Sequence, residues 1–390
     1  MKTTLLFLSV CLSANLFGQN VYIPDANFKA YLVGNSEINT NGDTEIQVSE
    51  ASVFNGTIDC YSLNISDLTG IEAFTALTVL KCSYNYQITS LDVSQNTALT
   101  TLYCSVNQLT SLDLSQNTAL TYLECNSNQL TSLDLSQNTA LVTLFCSSNS
   151  INNFDFSQTN NLEILDVSGN PLSNLALNNL SNLIDLYIDY TVISSIDLAS
   201  NIYLENLTFG GLEEDDITGD VTWSPMTSIN LSSNIFLYDV YYVGGELESL
   251  DLSNCIVNGY SDIVIEYPIN MSCLNLANGT NGIMPNGGDI IGLDIYVYDE
   301  VGIAYPSLCI EVDDINIANS VWNNNIDHPN YNFSVDCGDC SNTSSLTELT
   351  TSKNLIQILD LMGRETSFKP NTPLIYVYDD GTTEKVFTID

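Results

Sequence analysis

The chain is poor in positive charge: 7 Lys and Arg stand against 47 Asp and Glu, a formal net charge of −40. The basic residues are Lys2, Lys29, Lys81, Lys353, Arg364, Lys369 and Lys385, so none lies between Cys82 and Ser352. Nucleic acid needs cations against its phosphates, which excludes it as a partner. Anionic membrane surfaces fit poorly for the same reason. Histidine is scarcer still. His328 is the only one, so any Ser-His-Asp or Cys-His arrangement would depend on it, and it lies in the loop-like Asn325-Ile-Asp-His-Pro-Asn330. Long apolar runs are missing after the first residues, which excludes a membrane-spanning helix. What the field of 47 acids favours is cationic partners or bound metal ions.

What is present is a repeat. The leucines Leu99, Leu120, Leu141, Leu162, Leu183 and Leu204 fall 21 residues apart. A fixed period of this size marks stacked coils, each unable to bury its apolar face alone. Within a coil the order is L-x-x-L-x-C-x-x-N-x-L, as in Leu99 to Leu109, and coils of this form start at Leu77, Leu99, Leu120, Leu141, Leu162, Leu183, Leu204 and Leu237. This pattern resembles the leucine-rich repeat signature L-x-x-L-x-L-x-x-N/C-x-L. The resemblance implies a leucine-rich repeat solenoid, mainly parallel β, with short strands and turns. Two stretches per coil alternate apolar and polar residues as half-buried strands do. One is L-x-x-L-x-C, such as Leu99–Cys104, and the other is S-L-D-L, such as Ser111–Leu114. No coil carries a helical segment on its convex side.

Three columns follow from the repeat. Cys82, Cys104, Cys125 and Cys146 take an inward position that Val167, Ile188 and Phe209 fill later, so they read as small buried hydrophobes, with Cys60 beside them. A catalytic or zinc-binding column is not supported, because one cysteine per coil without histidine makes no closed site. Asn85, Asn107, Asn128, Asn149 and Asn170 recur at one turn, where they can satisfy backbone groups. Asp92, Asp113, Asp134, Asp155, Asp197 and Asp251 form a third column on the opposite side. Like charges about 5 Å apart must be solvated or bridged. On the concave strands, Tyr103, Tyr122, Phe145 and Tyr187 are expected as an aromatic strip on the solvent side. Such a strip suits a protein hot spot or a stacked glycan, although strand propensity alone also selects aromatics.

The ends differ from the coils. Residues 1–18, MKTTLLFLSVCLSANLFG, read as a secretory signal peptide with a short apolar core. Residues 19–76 read as an N-terminal cap with a short helix over IPDANFKAYLV. The cap also contains Asn39-Thr-Asn41-Gly-Asp43-Thr-Glu45-Ile-Gln-Val-Ser-Glu50, which resembles an EF-hand calcium loop. The implied ligands are Asn39, Asn41, Asp43, the Glu45 carbonyl and Glu50. Asn39 replaces the usual aspartate and Thr44 the usual glycine, so a loop that keeps the shape without the metal is the competing reading.

Coils are expected to run over residues 77–254, with an acidic insertion at 210–225 that carries Glu213, Glu214, Asp215, Asp216 and Asp220. Residues 255–340 fit no coil and contain Cys255, Cys273, Cys309, Cys337 and Cys340. The run from Ser307-Leu-Cys-Ile through Trp322 to Cys337 resembles the terminal cap of secreted bacterial leucine-rich repeat proteins. That resemblance, with the secreted context, makes Cys309–Cys337 the first-choice disulfide and leaves the other pairings open. Residues 341–352 are a polar linker. Residues 353–390, with Asp360-Leu-Met-Gly-Arg364 and Pro373-Leu-Ile-Tyr-Val-Tyr378, resemble the type IX secretion sorting domain of the Bacteroidetes, a small antiparallel β-sandwich. This implies a type IX machinery partner and an extracellular location, released or attached to the outer-membrane surface. The expected function is non-enzymatic binding or adhesion. The alternatives are an extracellular carbohydrate-active enzyme or a passive part of a surface assembly. Periodic carboxylates do not single out the acid and base that a glycosidase needs.

Overall fold

The computed structural model describes residues 18–214, 221–255, 262–277, 292–296, 305–322 and 326–338, and the backbone of 355–359, 374–378 and 383–386. Residues 1–17 of the expected signal peptide (1–18), insertion residues 215–220, the expected linker, Cys340 and the Asp360–Arg364 motif lie outside the described residues. The chain divides into Met1–Asn342 and Thr343–Asp390.

Within the first unit, the L-x-x-L-x-C stretches become three-residue strands whose middle leucine points inward and whose flanking residues point out. Leu80, Leu102, Leu123, Leu144, Leu165 and Leu186 are wholly buried, as are Cys60, Cys82, Cys104, Cys125 and Cys146 one residue beyond the strand. Each such leucine contributes about 1.5–3 kcal/mol of burial, but only with a coil on either side. The strands pair in parallel and in register to form one sheet of twelve. It begins Thr57–Asp59, Val79–Lys81, Thr101–Tyr103, Tyr122–Glu124, Thr143–Phe145, Ile164–Asp166 and Asp185–Tyr187. It continues Asn206–Gly210, Asp239–Val243, Asp262–Glu266, Gly292–Tyr296 and Ile326–Asp327.

The solenoid therefore does not stop at residue 254, as the leucine spacing predicts. Strands Asp262–Glu266, Gly292–Tyr296 and Ile326–Asp327 extend the long sheet. A second ladder joins Ser249–Asp251, Cys273–Asn275, Leu308–Glu311 and Tyr331–Ser334. Here isoleucine and valine replace leucine and the loops lengthen, so the periodic signal fades while the alternation survives. The S-L-D-L stretches also depart from expectation. Between Ile88 and Phe156 they are extended but carry about one backbone bond per coil, such as Gln108 N–H to the Ile88 carbonyl at 2.9 Å. Ser195–Asp197 and Ser228–Asn230, and further on Ser249–Asp251, do pair as strands.

The cap closes the open end. The helix Ala26–Gly34 starts where the Asp25 carboxylate accepts the amides of Asn27 and Phe28 at 2.9 and 3.0 Å, an N-cap. The same carboxylate accepts the Ser66 amide at 2.9 Å and so ties helix to first coil. Phe28 and Leu32 enter the core. The Tyr31 hydroxyl accepts the Asp59 amide at 2.8 Å, which occupies a donor on the edge strand. In the second unit, Leu355–Leu359, Leu374–Tyr378 and Thr383–Val386 form an antiparallel three-stranded sheet, the part of the expected sandwich that falls within the described residues.

Candidate functional site

The outward side chains of the long sheet form two columns. Register places Asp59, Lys81, Tyr103, Glu124, Phe145, Asp166, Tyr187 and Thr208 in one. The other holds Thr101, Tyr122, Thr143, Ile164, Asp185 and Asn206. Tyr103 and Tyr122 sit in different columns of adjacent coils and meet diagonally, with ring centroids 4.8 Å apart. Tyr122 and Phe145 are 5.9 Å apart, so three rings form one continuous patch. Tyr187 is not brought into it: the Asp166 strand lies between Phe145 and Tyr187. All four aromatics are half-buried rather than fully solvent-facing, because flanking side chains cover their faces.

Charge threads the patch. The Tyr122 hydroxyl donates to Glu124 Oε2 at 3.2 Å. Burial, then the Glu124 charge, pushes the Tyr122 phenol well up. Burial, followed by Asp185 and Asp166, raises the Tyr187 phenol. At the N-terminal end, Lys81 Nζ lies 5.6 Å from the Tyr103 ring centroid and 3.6 Å from Asp59 Oδ2.

The EF-hand-like loop is closed on itself. Glu50, 8% exposed, accepts the Thr40 amide and hydroxyl at 2.9 Å each and the Asn41 amide at 3.2 Å through Oε1, and the Gln47 amide at 3.0 Å through Oε2. It also completes a capping box on Val48–Ala51. Asn39 directs its amide nitrogen to the Val33 and Asp43 carbonyls, and its Oδ1 accepts the Gly42 amide at 3.1 Å. Gln47 Nε2 donates to Asp43 Oδ2 at 3.1 Å, and Asn41 donates to Gln47. The Glu45 carboxylate is taken by Lys29 at 2.7 Å. Among the described residues no three His, Cys, Asp or Glu groups cluster as a metal site. Calcium would have to displace Gln47 from between Asn41 and Asp43 and release Glu50 from at least some of four donors.

The remaining columns are structural. Asn85 Nδ2 donates to the Cys60 and Cys82 carbonyls at 3.0 and 2.9 Å, and its Oδ1 accepts the Leu63 and Ile65 amides at 3.1 and 3.0 Å. Asn107, Asn128, Asn149 and Asn170 donate to successive coils in the same way. The Oδ1 atoms of Asn128, Asn149 and Asn170 accept the Leu109, Leu130 and Ile151 amides, whereas Asn107 Oδ1 has no partner among the described residues. A second ladder, Asn96, Asn117, Asn138, Asn201 and Asn234, is wholly buried and donates across coils on the other side. The recurring Q-N-T carried that signal in sequence for Asn96, Asn117 and Asn138, whereas Asn201 and Asn234 stand in Ser-Asn-Ile. The acidic column caps turns: Asp92, Asp113, Asp134 and Asp155 each accept the amide two residues on at 2.9 Å. Hydrogen bonds from those serines hold the four carboxyls below the usual range. Burial pushes the Cys60 and Cys125 thiols up to about 12. Cys309 and Cys337 form a disulfide with Cα atoms 5.8 Å apart, and Cys273 is also disulfide-bonded. His328 is 5% exposed, and its Nδ1 accepts the Asn330 amide at 3.2 Å. Missed from sequence was a cleft of about 330 Å³ lined by Asn170, Pro171, Tyr190, Thr191, Trp223 and Pro225, made where the hairpin Leu212–Glu214 and Val221–Trp223 returns to the coil edge.

Parallel, in-register coils with inward leucines and a bridging asparagine define a leucine-rich repeat solenoid. Comparison with known proteins agrees. A 79-residue stretch is 40% identical to internalin J of Listeria monocytogenes serotype 4b (strain F2365), 20% of this chain. The match spans only 8% of that protein's length. The crystal structure of an internalin (inlF) from L. monocytogenes str. 4b F2365 shares the fold at TM-score 0.53 and 18% identity, covering 77% of this chain and 80% of that one. An internalin C2 (inlC2) from the same strain aligns at TM-score 0.48 and 22% identity, over 58% of this chain and 98% of that one. No family model matches. Among the described residues no helix is long and apolar enough to cross a membrane.

Proposed function

We propose that this chain is a non-enzymatic binding or adhesion module, exported by its signal peptide and a type IX sorting domain and acting outside the cell or on the outer-membrane surface. The outward face of the long sheet, concave in a solenoid of this class, is its contact surface. One observation carries this reading: Tyr103, Tyr122 and Phe145 form a continuous ring patch across three coils. Half-buried aromatics held on a rigid ladder give contact area at little entropic cost, the makings of a hot spot. Internalin-like leucine-rich repeat proteins are commonly protein-binding, which favours a protein partner. The tilted rings also suit glycan stacking. Against catalysis, His328 uses Nδ1 on backbone, and the carboxylates repeat as turn caps and column members rather than as an isolated pair.

The test is a binding survey of the full chain on protein and glycan arrays, repeated with Tyr103→Thr, Tyr122→Thr and Phe145→Thr combined. Threonine already stands in these columns at Thr143 and Thr208, so the fold is expected to hold. A hot spot of this size predicts a loss of at least about 30-fold in affinity. Full binding by the triple variant would remove the face from consideration.

A further inference from the structure

The face carries its own example of how a cation is held. In the column Asp59, Lys81, Tyr103, the lysine takes the slot between carboxylate and ring, 3.6 Å from Asp59 Oδ2 and 5.6 Å from the Tyr103 centroid. Both attractions are of the right kind, ion pair and cation–π. Beyond Tyr103 the column continues Glu124, Phe145, Asp166, Tyr187, so carboxylates again alternate with rings. There the column itself supplies no cation: the sequence has no Lys or Arg from Cys82 to Ser352. Glu124 is flanked by Tyr103 and Phe145, with Tyr122 hydrogen-bonded to it. Asp166 is flanked by Phe145 and Tyr187.

We propose that the partner is a basic, extended polypeptide segment laid across the strands, whose Lys or Arg side chains settle at Glu124 and Asp166 between the flanking rings. This rests on the reading of the face as the contact surface and adds the chemistry of what it contacts. The spacing is specific. Adjacent strands are about 4.8 Å apart, so Glu124 and Asp166, two coils apart, are separated by about 10 Å. A chain in the extended polyproline II form has three residues per turn and advances about 3.1 Å per residue, so cations three residues apart lie on one side of it about 9 Å apart and match that step. A neutral glycan would leave these carboxylates unused, and an anionic one would be repelled.

The probe is a fluorescent 15-residue peptide of Lys-Thr-Thr repeats. Its controls are a peptide of the same composition with the lysines clustered and one with Gln for Lys. Binding is measured by anisotropy to the full chain and to two double variants. Glu124→Gln with Asp166→Asn removes two charges on the face while keeping acceptors for the Tyr122 hydroxyl and the Ser168 amide. Asp113→Asn with Asp134→Asn removes two charges from the turn column, where Asn230 already caps the Ser232 amide. The spaced peptide should bind best. The face variant should weaken it about tenfold, the turn variant less than twofold, and added salt should weaken it further. Equal weakening by both variants, or equal binding of spaced and clustered peptides, would reduce the effect to net charge and overturn the proposal. If the aromatic triple variant abolishes binding of an array partner that neither charge variant affects, this inference fails while the contact surface stands. If the triple variant changes nothing, both fail.

Discussion

Asn85 joins the cap to the first regular coil, and its replacement should cost more than any surface asparagine. In Asn85→Ala, four hydrogen bonds disappear: two donated to the Cys60 and Cys82 carbonyls, two accepted from the Leu63 and Ile65 amides. Asn85 is wholly buried, so water does not readily replace them. At about 1 kcal/mol net per bond, and more for a buried group left without a partner, the loss should be about 3–5 kcal/mol. Asn161→Ala, which loses one exposed bond to the Thr139 carbonyl, should cost no more than about 0.5 kcal/mol. Asn85→Asp should be no milder than alanine, because a carboxylate would face two carbonyls. Urea unfolding followed by far-UV circular dichroism gives the midpoints, and hydrogen exchange at the Ile65 amide gives the local effect. Asn85→Ala within 1 kcal/mol of the parent, at unchanged denaturant slope, would refute the bridging role.

Other outcomes follow from the same geometry. Glu50 has its carboxyl pushed up by burial, but the Gln47, Thr40 and Asn41 donors outweigh this and hold it below 4.5. A lowered folded value means that this stability is complete above about pH 4.5 and is lost as pH falls through the folded value. Glu50→Gln should destabilise the cap by about 1–3 kcal/mol, equally in calcium and in chelator, as thermal unfolding would report. A midpoint that rises in calcium and loses that rise in Asp43→Ala with Glu50→Ala would instead make the loop a metal site. Val106 holds a left-handed φ of 55° at a turn where the next coils place Ser127, Ser148 and Gly169, so Val106→Gly should stabilise by about 1 kcal/mol in the same denaturation assay. The column thiols should resist alkylation in the native state and react only on unfolding, because Cys82, Cys104, Cys125 and Cys146 are wholly buried. Cys337→Ser opens a loop of sequence separation 28 and should cost the C-terminal coils about 3.5 kcal/mol in chain entropy.

The 21-residue period makes the coils, the inward Leu and Cys positions and the bridging asparagines legible in the sequence. Each is a backbone-scale property repeated many times. The contact patch was legible only in part. Spacing placed Tyr103, Tyr122, Phe145 and Tyr187 on one face, but which rings touch depends on the diagonal between columns, and that joins three and leaves Tyr187 beyond Asp166. The end of the solenoid is not legible from the leucine spacing, because Ile263, Ile265 and Ile310 keep the burial without it. The loop at Asn39–Glu50 matched a ligand pattern, but spacing did not show Gln47 filling its centre or Lys29, ten residues before Asn39, reaching Glu45. The cleft beside Trp223 had no repeat signal, since it is formed by residues where the repeat is broken.

The most direct measurement is hydroxyl-radical footprinting of the full chain with and without an array-identified partner, read by mass spectrometry at each aromatic. Protection is expected at Tyr103, Tyr122 and Phe145, with Tyr22, Tyr86 and Tyr203, which are 74%, 54% and 49% exposed, unchanged. Protection at Tyr190 and Trp223 with none at the three rings would move binding to the cleft and contradict the assignment of the long sheet's outward face.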